Sequence, residues 1–411
     1  MIKELQFNDS DQSSDQTIQY RGREWIQNSH INFRKIVELS RRKKGQRAHD
    51  LSNLDKIGVK RGALVVSSGP SGDLVMEDLK EVDLNIWVAE GIFKTWYYKT
   101  GRWPDYIVCT DALPVVSKNI TFADGTEVPK SVKLVVHPCL HPSVYSSWKG
   151  DFYMYRERHH RLPYLNHGQA AAYGEHVPLE VSMTGCVTNI MLQLVDYMGY
   201  DAIFNVGYDC GFPEGKYRAD TWNMDKDGKW FLEKQPGIQS KSAMRVSENG
   251  VKCLQSQLAY KMNAMLIWAQ TGAQFVNVKP YTGTITEWPQ MSVKDLVEDW
   301  TQWPKVSLDK IKEIGQGYLD KIHSVTVGHP NNIEEQKAKE AAQAQQMSQP
   351  QDVPMQFYKD PAAAKKAFEQ QKQAQQAALQ GQAPNEPPPQ ALKLEKLPPG
   401  LDRGPWAKPP E

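Results

Sequence analysis

The residues whose types and spacing are best suited to ligand binding follow a short apolar run near the start of the chain. Ala63-Leu-Val-Val66 predicts a buried β-strand, Ser67 to Gly72 is dense in turn formers, and Leu74 to Leu79 has a helix-like pattern. A strand, turn and helix in this order point backbone N–H groups at one spot, which suits a phosphate. The alternative is an ordinary first βα turn, because the stretch is neither GxGxxG nor a P-loop. The candidate ligand-binding residues are Ser68, Gly69, Pro70 and Ser71.

Apolar, partly β-branched runs predict the strands that must position such a turn. They are Ala63–Val66, Asn85–Ala89, Tyr106–Thr110, Val132–Val136, Ala202–Val206 and Gln274–Val278. Helical patterns lie between them, so we expect an α/β, Rossmann-like fold: a mainly parallel sheet with helices on both faces. Ligands bind at the carboxyl ends of the strands in such sheets. Asp111 and His137 each follow a predicted strand directly and are therefore candidate site residues.

A second candidate anion site precedes the most regular helical pattern of the chain. Apolar residues from Val187 to Met198 follow helical spacing, and Gly199 is placed to end the helix. Thr184 and Gly185 are expected at the N-cap of this helix. Backbone N–H groups at a helix start face outward, so these two residues are predicted to contact a ligand.

Composition shifts predict the organisation of the chain. We expect a polar segment and helical arm over residues 1–48, and a Rossmann-like domain over 49–290 with an inserted loop at 210–247. C-terminal helices are expected over 291–325, followed by a disordered tail over 326–411 that is rich in Ala, Gln and Pro. The inserted loop contains Trp222 and Trp230, which either stack on a ligand ring or anchor the loop to the core.

The overall composition excludes several classes of protein. The chain has 411 residues and a net charge of +1, so no charge excess indicates a nucleic acid or membrane surface as partner. Its five cysteines form no CxxC pair, which is typical of reduced thiols in a cytoplasmic protein. We find neither a signal-peptide pattern nor an apolar run long enough to span a bilayer. The expected location is the cytoplasm.

Several short stretches, taken in order, resemble one family. They are Gly69-Pro-Ser71 after a strand, PDYIVCTD ending at Asp111, Thr184-Gly-Cys-Val-Thr-Asn189, GYDAIFNVGYD ending at Asp209, and NVKPYTG ending at Gly283. Their order and spacing are similar to the MptE-like family. That family includes 6-hydroxymethyl-7,8-dihydropterin diphosphokinases and a domain of motility accessory factors, which are thought to attach nonulosonic sugars to flagellin.

The resemblance implies roles for individual residues. Gly69, Pro70 and Ser71 would form a phosphate-facing turn, while Thr184, Gly185 and Thr188 would form a second phosphate-facing helix start. Asp111 and Asp209 would stand at strand ends, with Gly207 in a Gly-x-Asp motif. The resemblance covers about residues 63–283, and the insertion after Asp209 departs from the family pattern.

The resemblance leaves two enzymatic chemistries open. Diphosphate transfer from ATP to a hydroxymethylpterin-like alcohol would use Mg²⁺ held by Asp111 and Asp209. Sugar transfer from a CMP-activated nonulosonic sugar would instead need an acid/base residue and groups that stabilise the leaving phosphate. Candidates for those roles are His137, His141, Tyr208, Lys216 and Arg218. A further alternative is a non-catalytic binding or assembly module. The expected partners are a nucleotide and a small-molecule acceptor, with the tail available to a protein partner.

Overall fold

The fold comes from a computed structural model that describes residues 12–51, 62–158, 163–174, 176–177, 179–182, 184–216, 218–233, 244–247, 249–271 and 273–327. The chain divides into two units, Met1–Ile333 and Glu334–Glu411, and every described residue belongs to the first. The predicted disordered tail therefore lies, apart from residues 326 and 327, outside the described residues.

The strands and helices are numbered in chain order. The strands are β1 Ala48–Asp50, β2 Gly62–Val66, β3 Asn85–Ala89, β4 Tyr106–Val108, β5 Lys133–Val136, β6 Phe152–Met154, β7 Arg156–Arg158, β8 Glu180–Ser182, β9 Ala202–Val206, β10 Thr221–Met224, β11 Trp230–Glu233, β12 Met244–Val246, β13 Lys252–Leu254, β14 Gln274–Lys279 and β15 Gln290–Ser292. The helices are α1 Gln12–Arg41, α2 Phe93–Thr100, α3 Val115–Asn119, α4 Pro142–Ser147, α5 Pro163–Tyr173, α6 Val187–Tyr197, α7 Gln255–Gln270, α8 Val293–Asp299 and α9 Leu308–Val327.

A nine-stranded sheet in the order β1-β6-β5-β4-β3-β2-β9-β14-β15 forms the centre of the molecule. Every strand pair in it is parallel. The chain runs from β2 through β3, β4 and β5 towards one edge of the sheet, whereas β9 leads through β14 to the other edge. The direction of winding thus switches between β2 and β9. In open parallel sheets the ligand crevice lies at such a switch point, at the carboxyl ends of the strands.

Helices cover a parallel sheet on both faces. Its strands are therefore buried on both sides and appear in the sequence as apolar runs. Every residue of β2 and β9 is buried. Strands buried on both faces read as continuous apolar runs rather than alternating ones. The predicted α/β, Rossmann-like fold with its mainly parallel sheet and helical N-terminal segment is confirmed. None of the helices in the described ranges is long and apolar enough to cross a bilayer.

Two local predictions were wrong. The segment after the β2 turn is not an α-helix but two short 3₁₀ turns, Pro70–Leu74 and Met76–Leu79. The inserted region also contains sheet structure, because β10 and β11 form an antiparallel hairpin.

The two tryptophans of the insertion anchor this hairpin to α2. Trp222 stacks on Tyr98 with ring centroids 4.0 Å apart, and Trp230 packs 5.0 Å from the same ring. The Trp222 amide also donates to Thr95 Oγ1 at 2.8 Å. In this arrangement both rings serve the packing of the hairpin rather than a ligand.

Candidate functional site

The turn that follows β2 lies directly against the end of β9. Gly69 N donates to Gly207 O at 2.7 Å, and Ser67 N donates to Val206 O at 2.8 Å. Gly207 has φ 69°, and a Cβ there would lie 2.4 Å from Ser67 O. A Cβ at Gly69 would lie 2.3 Å from Gly207 O. Glycine is therefore needed on both sides of this contact.

Asp209 occupies the position that an external anion would take at the start of the turn. Its Oδ2 accepts from Ser71 N at 2.8 Å, and its Oδ1 accepts from the Ser71 hydroxyl. The side chain is only 2% exposed, and burial raises its pKa to about 6 while the Ser71 hydrogen bonds act in the opposite direction. The Ser71 amide, predicted to bind phosphate, instead binds a carboxylate of the chain itself. Within residues 67–72, Ser68 and Gly69 are half-buried and the other residues are buried.

The start of α6 forms the second wall of the crevice. The N-cap is Cys186, not the predicted Thr184 and Gly185, because the helix begins at Val187. Thr184 is 2% exposed, and its carbonyl accepts from Asn263 Nδ2 at 2.9 Å.

One hydrogen bond joins the two walls of the crevice. Ser67 Oγ and Thr188 Oγ1 are 2.8 Å apart. The turn after β2 and the start of α6 thus lie on the same side of the switch point rather than on opposite edges of the sheet. Gly185 is exposed beside Tyr260, at φ 87°.

A segment from the insertion is fastened to the turn after β2. Ala219 N donates to Ser68 O at 2.8 Å, and Asp220 N donates to Asp73 Oδ2 at 2.7 Å. Asp73 is itself held by Lys99 Nζ at 3.0 Å in a pair that is mostly buried. These contacts fix the backbone immediately after Arg218, an exposed residue that carries a guanidinium beside the crevice.

Glu90, at the end of β3, is the functional candidate that the sequence prediction missed. Its Oε2 is buried and accepts no hydrogen bond from the part of the chain that the structure describes. Its pKa is raised to about 7, chiefly by burial; a hydrogen bond from its own backbone and the charge of Arg218 lower the pKa, and the charge of Asp111 raises it. A carboxyl group that titrates near neutral pH can both accept and donate a proton. The signal in the sequence was an acid directly after the predicted strand Asn85–Ala89, the same signal that singled out Asp111.

Asp111 and Asp209 are not at adjacent strand ends. Asp111 follows β4 and Asp209 follows β9, and the order of the sheet places β3 and β2 between them. At roughly 4.8 Å per strand, their strands are about 14 Å apart. Both carboxylate oxygens of Asp209 are also bound to Ser71. Asp111 and Asp209 therefore do not form the predicted Mg²⁺ site. Across the described ranges no three His, Cys, Asp or Glu side chains come together as a metal site.

His137 is buried away from the crevice. It is fully enclosed, and its Nε2 lies 3.1 Å from Thr110 O, the carbonyl directly before Asp111. Its Nδ1 lies 3.7 Å from Oε2 of Glu157, which is 1% exposed. Burial lowers the pKa of His137 to about 4 and raises that of Glu157 to about 8, so both groups are neutral near pH 7. In this position His137 supports the strand-end loop and cannot reach a substrate.

Of the remaining acid/base candidates, two make structural hydrogen bonds and two are exposed on the surface. His141 caps α4, where its Nδ1 accepts from Ser143 N at 3.2 Å. The Tyr208 hydroxyl donates to Asn189 Oδ1 at 2.7 Å inside the core. Lys216 is exposed on the segment that leads to Arg218. Of the five residues proposed for acid/base or phosphate-stabilising roles, Arg218 is the one whose charge acts on Glu90.

The parallel sheet and the crevice at its switch point define a Rossmann-like α/β protein. Within that class, residues 35–215 match the family model described as 6-hydroxymethylpterin diphosphokinase MptE-like. This match over a little under half of the chain confirms the resemblance to the MptE-like family. The match supports a transferase-related role and identifies neither the substrate nor the reaction.

Two further comparisons add little to this assignment. No curated protein matches the chain in sequence. Among solved structures, the chain is similar to the MAf glycosyltransferase from Magnetospirillum magneticum AMB-1, with 13% identity and a TM-score of 0.42. The alignment covers 71% of this chain and 42% of that one, so this chain matches less than half of the glycosyltransferase. A likeness at this level carries no argument about function.

Proposed function

We propose that the chain is a nucleotide-dependent transferase that moves a sugar from a CMP-activated nonulosonic sugar to a hydroxyl acceptor. The observation that carries the proposal is that Glu90, at the end of β3, is acted on by the charges of Asp111, at the end of β4, and of Arg218 from the insertion. Arg218 supplies positive charge for the leaving phosphate, and Glu90 has a pKa of about 7, near that of an effective acid/base group.

In the proposed step, the acceptor hydroxyl oxygen attacks the anomeric carbon of the sugar. The bond from that carbon to the phosphate oxygen breaks, and CMP leaves with the bonding electron pair. The acceptor proton passes to the Glu90 carboxylate. Arg218 stabilises the charge that grows on the leaving phosphate, and the Ser68–Gly69 backbone lies at the floor of the crevice.

Diphosphate transfer from ATP to a hydroxymethylpterin-like alcohol is the second candidate, because the matched family model bears that activity in its description. Mg²⁺ is held in such sites by one or two carboxylates together with substrate phosphates. Asp111 and Glu90 would supply those carboxylates, since the charge of Asp111 acts on Glu90. Mg²⁺ would then neutralise the charge of the transferred phosphates.

A nucleotide panel separates these candidates. The full chain is titrated with ATP, GTP, CTP, CMP and UDP, each with Mg²⁺ and with EDTA, and the dissociation constant is measured by calorimetry. Binding of CMP and CTP in EDTA supports sugar transfer, whereas binding of ATP that requires Mg²⁺ supports diphosphate transfer. If none of the five binds, the transferase proposal fails and a non-catalytic module becomes the better explanation.

Glu90→Gln tests the acid/base role within the first candidate. We expect the release of CMP from CMP-sialic acid to slow by about 100-fold or more, because general base assistance is worth about that much. The dissociation constant for CMP should change little, since Gln preserves the size of the side chain. Glu77→Gln, an exposed change on the 3₁₀ turn Met76–Leu79, is the matched control and should leave both values unchanged. Equal rates for Glu90→Gln and wild type would exclude Glu90 as the base.

A further inference from the structure

The N-terminal helix α1 lies over the loops that follow β4 and β5. Asn28 Nδ2 donates to Ala112 O and to Cys139 O, both at 3.2 Å. One turn later, Asn32 Nδ2 donates to Pro138 O at 2.9 Å and to Leu140 O at 2.8 Å. The two asparagines are 7% and 2% exposed. Each amide group therefore uses both of its N–H bonds on main-chain carbonyls at the carboxyl edge of the sheet.

The two asparagines differ in what they hold. Both contact the loop after β5, but only Asn28 also reaches the loop after β4. Ala112 directly follows Asp111 in the chain, and it packs in a small apolar cluster with Trp25 and Cys139. Asn28 thus ties the peptide next to Asp111 to a neighbouring loop and to α1.

The Asp111 loop is held from three directions. Asp111 Oδ1 accepts from Leu113 N at 3.1 Å, which closes a turn around the carboxylate. His137 holds the carbonyl of Thr110, before Asp111, and Asn28 holds the carbonyl of Ala112, after it. A short loop pinned on both sides of one residue presents that residue's side chain in one orientation. This is the arrangement needed where the position of a carboxylate matters.

We propose that Asn28 is a positioning residue: through Ala112 it makes α1 part of the site by fixing where the Asp111 carboxylate points. Asn28 acts through Asp111 and touches no ligand itself. The proposal rests on the proposed function in placing the nucleotide beside Glu90 and Arg218, and it adds that the Asp111 carboxylate contacts that nucleotide. The restraint on the loop can be measured without any ligand.

Hydrogen exchange on the full-length chain tests the restraint. Loss of the Asn28 bonds should raise exchange in the peptide spanning residues 110–114 by about tenfold, the effect expected for losing one to two net hydrogen bonds. Asn28→Ala is compared with Asn32→Ala, which removes the same number of bonds without touching the Asp111 loop. A milder variant, Asn28→Ser, covers the case in which Asn28→Ala fails to fold. Equal exchange in this peptide for the Asn28 and Asn32 variants would overturn the proposal.

Nucleotide binding tests whether the restraint acts through Asp111. With CMP as probe, Asn28→Ala should raise the dissociation constant about tenfold in the wild-type background and leave it unchanged in an Asp111→Asn background. Asn32→Ala should leave it unchanged in both. An equal effect of Asn28→Ala in the two backgrounds would show a general loosening and overturn the positioning role. If CMP does not bind the wild-type chain at all, the proposed function fails, and the exchange comparison still decides whether Asn28 restrains the loop.

Discussion

The buried pair of His137 and Glu157 predicts a pH dependence of stability that a single substitution should remove. Glu157 is 1% exposed, and burial raises its pKa to about 8. Its Oε1 accepts from the Tyr155 hydroxyl at 3.3 Å, and its Oε2 lies 3.7 Å from His137 Nδ1. In Glu157→Gln the amide oxygen can still accept from Tyr155, and the amide nitrogen can take the place of the protonated Oε2. The variant should therefore keep the fold and lose only the titration.

The sign follows from the two states of Glu157. An unfolded glutamate has a pKa of about 4.3, so between about pH 4.3 and 8 the folded protein keeps a proton that the unfolded chain has lost. The free energy of unfolding therefore falls as the pH rises, by about 1.4 kcal/mol per unit. His137 has the opposite sign, since burial lowers its pKa to about 4, but its contribution is complete above about pH 6.5. From pH 6.5 to 8 the loss due to Glu157 is about 2 kcal/mol.

Thermal unfolding at these two pH values measures the effect. Glu90 and Asp209, whose pKa values are also raised, contribute equally to both proteins and cancel in the difference. We expect the wild-type Tm to fall by about 3 °C more than that of Glu157→Gln across this window. The control is Glu298→Gln, an exposed change beside Lys294 on α8, which should behave as wild type. If wild type and Glu157→Gln lose equal stability, Glu157 is already ionised at pH 6.5. The conclusion that His137 and Glu157 are both neutral near pH 7 is then wrong.

The remaining predictions concern the close approach of β2 to β9 and the hairpin. Gly207→Ala should cost more than about 2 kcal/mol, because it adds a contact of 2.4 Å with Ser67 O to the strain of a positive φ. Gly199→Ala, at φ 87° with nothing within 4 Å, should cost only about 1 kcal/mol in the same urea titration, and equal costs would refute the close contact. Trp222→Ala should release the hairpin from α2 and speed its proteolysis at least several-fold, whereas Phe231→Ala, an exposed change on the same hairpin, should not. Unchanged cleavage in the tryptophan variant would mean that the ring stack does not anchor the hairpin.

The sequence correctly predicted the elements whose pattern is formed by residues close together in the chain. The run from Asn85 to Ala89 predicted β3 with its observed bounds, and Gly199 follows the end of α6 at φ 87°, as expected for a left-handed helix stop. Burial on both faces of the sheet made such strands readable as apolar runs. The Gly69 turn was also correctly placed at a strand end, because turn formers directly follow the strand.

Local sequence patterns could not predict the order of the strands in the sheet. Chain order does not reveal that β9 pairs with β2, so Asp111 and Asp209 were expected to hold one Mg²⁺ although two strands lie between theirs. The helix predicted after the turn failed for a related reason. Ser71 and the 3₁₀ turn are shaped by a carboxylate that arrives from 138 residues later in the chain. Glu90 was missed because its importance depends on burial and on the charges of Asp111 and Arg218, which only the folded chain brings together.

The pairing of β2 with β9 has a consequence for how the chain is made. β2 ends at Val66, but its partner on one side, β9, begins at Ala202. A ribosome that adds about 5–20 residues per second needs on the order of ten seconds to produce the intervening chain. During that time β3 to β6 can assemble on one side of β2, while its other edge remains an unpaired row of backbone groups within a wholly apolar strand. Such edges recruit strands from other chains. The centre of the mature sheet therefore closes only after the strands on one side of β2 have been made, and the nascent chain exposes this unpaired edge until β9 emerges.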